Sequence, residues 1–143
     1  MSAIPSHVPS PLRSVDPRSV DFSVRQWLGQ VPLSIAFAAS DQVGTDRTIT
    51  ITVLNLSGEA CKGLFHIRVI VGTAADGGPA GTQTVSVVSG AQVASVVSNQ
   101  VIDALTNSSG VLGLTVGVGS AGTRHIRAVV DGIVYGSGEI SWV

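Results

Sequence analysis

Between Arg47 and Asn55, the residues Thr48, Thr50 and Thr52 alternate with Ile49, Ile51 and Val53. A period of two sends the aliphatic side chains to one face of an extended strand and the hydroxyls to the other, whereas a helix would scatter both around its axis. The alternation recurs in Leu64–Val71, where Phe65, Ile67, Val69 and Val71 oppose His66 and Arg68. Val111–Val118 turns Leu112, Leu114, Val116 and Val118 one way, and Thr123–Val130 sets Ile126, Ala128 and Val130 against His125 and Arg127. Asp131-Gly132 then separates two such runs, and Asp-Gly in that position is a strong hairpin signal. Composition agrees: 23 Val and 10 Ile stand against 9 Leu, with 17 Gly among the 143 residues. β-Branched residues fit a pleated, half-buried surface and Gly punctuates turns, so the chain is expected to be all-β.

The rest of the chain fits that frame. Leu33–Ala39 reads as a first strand, and Ile133–Tyr135 with Gly138–Val143 as a last one, broken near Gly136 and Gly138. Asn55–Gly63 is a turn with Ser57-Gly58 and Lys62-Gly63, and Thr73–Thr82 is a Gly/Pro-rich loop. Gln83–Leu105 leaves two readings open: two or three short strands, which its valines favour, or a helical turn or two within Ala91–Leu105. Seven to nine strands spaced by about 8–12 residues imply an immunoglobulin-like β-sandwich over residues 33–143. The chain has no cysteine pair and no tryptophan that reads as buried between such cysteines, so an antibody-type domain is not expected.

Residues 1–32 differ. Five of the six prolines fall there, interspersed with serines. Proline fixes φ and removes a donor, so Ile4 to about Arg25 is expected to form an extended arm rather than regular structure. Ile4, Val8, Leu12, Val15, Val20, Phe22, Val24 and Trp27 stud this arm with apolar side chains that a plain linker would lack. The arm therefore reads as lying on a surface, whether its own domain, a neighbouring copy or another protein. Leu12, Phe22 and Trp27 are its candidate buried anchors, and Arg13, Arg18 and Arg25 its candidate partners for surface carboxylates.

Charge removes several classes of function. The net charge is −1 and Lys62 is the single lysine. A nucleic-acid binder needs a basic stripe to displace counterions, so no nucleic-acid partner is expected. No apolar run approaches the about 18–20 residues of a spanning helix, so no membrane partner is expected. Met1–Pro11 has no basic segment followed by an apolar one, so no secretory signal is read there and the chain reads as made for the cytosol, or for something assembled there. One cysteine, Cys61, allows no internal disulfide and no cysteine-based zinc site.

Candidate chemistry is thin. Gly117–Gly122 spells G-x-G-x-x-G, but a dinucleotide site needs a helix after the last glycine, and β-type alternation follows instead. His7, His66 and His125 lack any ligand spacing, Glu59 and Glu139 are the two glutamates, and most aspartates flank turns. G-x-S-x-G is absent, and Cys61 reads as an incidental turn thiol beside Lys62. The sequons at Asn55-Leu56-Ser57 and Asn107-Ser108-Ser109 are discounted without an export signal. No catalytic, cofactor or metal residues are assigned. Only 12% of residues are charged, about half the usual share. So little charge, and one lysine to guard the sheet edges, points to a component buried in an assembly.

Arg47–Val143 resembles the bacterial immunoglobulin-like domains of the invasin/intimin kind, which recur in bacteriophage virion proteins. The residues that carry this are Thr48–Leu54 followed by Ser57-Gly58-Glu59 and Gly63, then Leu105–Val116, Ser120-Ala121-Gly122-Thr123 and Ile126–Val130. Asn55 and Asn107 stand where acidic residues are usual, and Ala60 where the family has proline. The resemblance implies a sandwich that works through surfaces and loops. With the apolar-studded arm, it implies a non-enzymatic virion protein, foremost a capsid decoration (cement) protein bound to the major capsid protein or another virion protein and self-associating. The alternative is a neck, tail or head-fibre accessory protein with a receptor- or carbohydrate-binding module. Sugar stacking would fall to Tyr135 and Trp142, near the C-terminal edge.

Overall fold

The computed structural model describes residues 31–143. Nine strands form there: β1 (Ser34–Ala39), β2 (Asp46–Leu54), β3 (His66–Gly72), β4 (Thr84–Ser89), β5 (Ala91–Val97), β6 (Val101–Leu105), β7 (Val111–Gly117), β8 (Gly122–Val130) and β9 (Ile133–Trp142). No helix occurs among the described residues. The strands make two antiparallel sheets, one ordered β1-β2-β7-β4 and the other β5-β6-β3-β8-β9.

The alternating aliphatics face inward and form one core between the sheets. Ile49, Ile51 and Val53 of β2 with Leu112, Leu114 and Val116 of β7 come from one sheet; Ile67, Val69 and Val71 of β3 with Ile126 and Ala128 of β8 come from the other. Register places Ile49 opposite Leu114 and Ile51 opposite Leu112, so core side chains also meet across neighbouring strands. Each fully buried Ile, Leu or Val contributes about 1.5–3 kcal/mol. A slip of one residue would turn a whole row to solvent, and that difference fixes the pairing.

The favoured reading of Gln83–Leu105 holds: it is three strands, β4, β5 and β6, with no helical turn. Two expectations change. The last strand is continuous, and Gly136 and Gly138 lie at a register shift opposite His125 and Arg127 rather than at a break. Trp142, read as an exposed aromatic, is 2% exposed and among the largest fully buried side chains. Its burial follows from where β9 ends: the Arg47 guanidinium lies 5.8 Å from the centre of its ring while donating from Nε to the Ser141 carbonyl at 2.9 Å.

Both Asn55 and Asn107 build the same loop. Each side-chain oxygen accepts the backbone N–H groups two and four residues on: Ser57 and Glu59 at 2.9 and 3.1 Å, Ser109 and Val111 at 2.9 and 3.2 Å. Cys61, read as a turn thiol, does leave the first of these loops, and its side chain is buried in the core.

Gly90 alone joins β4 to β5, so the chain passes from one sheet to the other in a single residue at φ +99°. A Cβ there would overlap the Leu105 carbonyl oxygen. Asp131 and Gly132 have φ of +51° and +80°, as a two-residue hairpin turn requires, but a Cβ at Gly132 meets open space. Gly132→Ala is therefore expected to cost about 1 kcal/mol of backbone strain. Gly90→Ala adds an overlap with backbone and is expected to cost about 3 kcal/mol. Urea midpoints of the two variants check this ranking.

Candidate functional site

The arm residues Leu12, Arg13, Arg18, Phe22, Arg25 and Trp27 lie outside the described residues. His66 and His125 do point outward, on β3 and β8, but His66 stands opposite Leu105 and His125 opposite Gly72 and Glu139. Among the described residues no three His, Cys, Asp or Glu side chains gather into a metal-binding group. Burial pushes the Cys61 thiol up from its ordinary value, the opposite of what a thiolate nucleophile needs. Gly117 closes β7 and Gly122 opens β8, so the glycine-rich run is a turn between strands with no helix behind it.

Two arginines serve the scaffold. Arg124 is buried and donates to Gln83 Oε1 at 2.8 Å and to the Thr82 and Thr123 carbonyls at 3.0 and 2.7 Å. Gln83 in turn donates to the Asn99 carbonyl at 2.6 Å, and Asn99 Oδ1 accepts the Val85 N–H at 2.9 Å. This network ties the start of β4 to the β5–β6 turn. Arg127 donates from Nη2 to the Gly77 carbonyl and so holds the Thr73–Thr82 loop over β8. An open cavity of about 300 Å³ remains beside it, lined by Ala75, His125, Arg127, Val134 and Ser137.

The features that stand out are the two seams where the sheets' edges meet. At the β1/β9 seam side chains bridge the gap. Arg47 bonds Ser141, Tyr135 Oη donates to the Leu33 carbonyl at 3.1 Å, and the Gln42 amide exchanges two bonds of 2.9 Å with Val143. The β4/β5 seam is different. β4 pairs with β7 and β5 with β6 on their inner sides; at one end Asn99 Oδ1 accepts the Val85 N–H of β4, and among the described residues neither strand has a strand neighbour on its outer side. All seven residues of β5 are exposed. Val88, Val93, Val96 and Val97 are 60, 57, 49 and 42% exposed, so four apolar side chains of one seam face water. No Asp, Glu, Lys, Arg or His occurs between Asp76 and Asp103. Natural edges are guarded by charge, proline or bulges; this one has bulges alone, at Val87/Ser89, Gln92/Ala94 and Ser95/Val97. That charge-free run was the available sequence signal for the surface, and the ambiguity of Gln83–Leu105 hid it.

A charged pair sits one strand inward of β5. Asp103 on β6 accepts two bonds from Arg68 on β3, at 2.8 and 3.0 Å, with His66 Nε2 3.9 Å away. The hydrogen bond from Arg68, foremost, and its charge hold the Asp103 carboxyl below the ordinary value of 3.8, against the opposing effect of burial. A depressed folded value means stability that is fully present above the unfolded value and lost as pH falls through the folded one. Asp103→Asn is therefore expected to flatten the fall in thermal stability below about pH 4 while leaving its slope between pH 6 and 8 unchanged. Melting temperatures across that range check it. No helix among the described residues is long and apolar enough to cross a membrane. No protein-family model, curated protein or solved structure matches this chain.

Proposed function

We propose that this chain is a non-enzymatic structural protein of a bacteriophage virion, a decoration or cement protein that attaches to the head through its N-terminal arm and its sandwich. The observation that carries this reading is the β4/β5 seam: a pinned, well-packed scaffold that leaves an uncharged double edge with four exposed valines. An isolated chain gains nothing from such an edge, which is a template for pairing. A component that is covered in an assembly does.

The finer fold reading is an immunoglobulin-like sandwich. Its support is the wiring. A constant-type immunoglobulin sandwich has strands A-B-E-D on one sheet and C-F-G on the other. Here β1, β2, β7 and β4 follow the first order and β3, β8 and β9 the second. The β5–β6 hairpin is then an insertion between D and E that extends the second sheet beyond C. The Asn55 and Asn107 loops add support, because an amide oxygen accepts the same backbone N–H groups that an acidic residue would.

A carbohydrate-binding module has less behind it. Stacking on sugars needs an open ring face, and Trp142 is buried while Tyr135 is half-buried with its hydroxyl committed to Leu33.

The test is cosedimentation with the phage's own capsids. The full chain is expected to bind, and a chain lacking residues 1–25 is expected to lose binding while unfolding as cooperatively as before. Absence of binding by the full chain, or a specific signal on a glycan array, would overturn the decoration reading.

A further inference from the structure

We infer that the β4/β5 seam is a self-pairing interface: two copies of this chain join β5 to β5 in antiparallel fashion about a twofold axis at Ala94. The inference rests on the reading of the chain as an assembly protein and names the partner of that surface.

Three observations select a second copy over other occupants. First, the seam presents two open edges side by side, β4 from one sheet and β5 from the other, joined through Gly90. Packed sheets lie about 10 Å apart. A single extended peptide can cover one edge; a partner that covers both must bring two edges at the same spacing, which another copy of this sandwich does.

Second, the run between Asp76 and Asp103 has no charge. In an isologous interface each residue meets the same surface of the other copy, so any charge there would stand near its like. An uncharged seam removes that repulsion. It also lacks the complementary charges by which a foreign partner is usually steered and selected.

Third, a twofold axis at Ala94 uses the whole strand. Ala94 meets Ala94 of the other copy, Val93 meets Ser95, Gln92 meets Val96 and Ala91 meets Val97, so all seven residues of β5 are paired. The register shifts at Gln92/Ala94 and Ser95/Val97 increase the local twist of β5, which works against pairing with a flat strand. Pairing covers the β5 edge of both copies and sets their β4 edges side by side, which limits growth at β5 to two.

The experiment is light scattering after size exclusion of the full-length chain over a concentration series, with variants at exposed positions. The wild type is expected to run at twice the chain mass at high concentration. Val96→Lys, which puts a charge on the edge, is expected to raise the dissociation constant at least tenfold, whereas Val134→Lys on exposed β9 leaves it unchanged. Directly opposed residues of an antiparallel pair have Cα atoms about 4.5–5.5 Å apart, within disulfide reach. Oxidised Ala94→Cys is therefore expected to give a covalent dimer, with buried Cys61 not competing. A wild type that stays monomeric throughout, or a dimer indifferent to Val96→Lys and not trapped by Ala94→Cys, overturns the inference. Capsid binding is read separately: a monomer that still binds capsids defeats self-pairing alone, and a dimer that ignores them defeats the virion reading alone.

Discussion

The aliphatic layer between the two sheets is the constraint on which everything else depends. With so few aromatics and charges, the chain has little besides Ile, Val and Leu with which to offset the entropy of ordering its backbone. Those residues work only if β2, β3, β7 and β8 all keep their inward parity, because one shifted register exposes a row of the core. The Asn55 and Asn107 loops, the Asp131-Gly132 turn and the Gly90 corner each hold a junction where that parity is at risk. Cys61 and Trp142 then fill the ends of the layer.

A closed core leaves the sandwich's edges as its variable part, and the two seams are treated in opposite ways. Side chains of Arg47, Gln42 and Tyr135 satisfy backbone groups of the opposite edge at β1/β9. At β4/β5 the polar network of Arg124, Gln83 and Asn99 bridges one end, where Asn99 Oδ1 accepts the Val85 N–H, and among the described residues no strand pairs with the outer sides of β4 and β5. The seam is thereby held in one shape with its strand edges unpaired. A partner that pairs with it has little ordering entropy to overcome, which is the condition for a modest surface to bind firmly. The virion reading and the self-pairing reading both draw on this contrast.

Much of the fold was legible wherever one face of a strand is buried and the other is not. The Thr48–Val53 and Leu112–Val118 alternations and the Asp131-Gly132 pair locate β2, β7 and the β8–β9 hairpin without tertiary information. Legibility failed where that asymmetry fails. In β5 both faces are exposed and the valines stand at 93, 96 and 97, a spacing that mimics a helix. The candidate surface lies in that stretch, so the segment hardest to read was the one that mattered for function. Trp142 was misplaced for a related reason: a residue beside the end of the chain looks exposed until β9 is seen to close against Arg47.

The sequence by itself determined the all-β class, the inward rows and the hairpin turn, because side-chain alternation and turn stereochemistry are local properties of the chain. Only the tertiary structure decided which strands became edges, since an edge is defined by the neighbour it lacks. It also decided that Arg124 is buried, held by carbonyls and by Gln83, which stands far off in the chain just before β4. And it decided that one seam is bridged at both ends and the other at one, because that depends on which side chains the fold brings across 10 Å or so of sheet spacing, a distance no local pattern encodes.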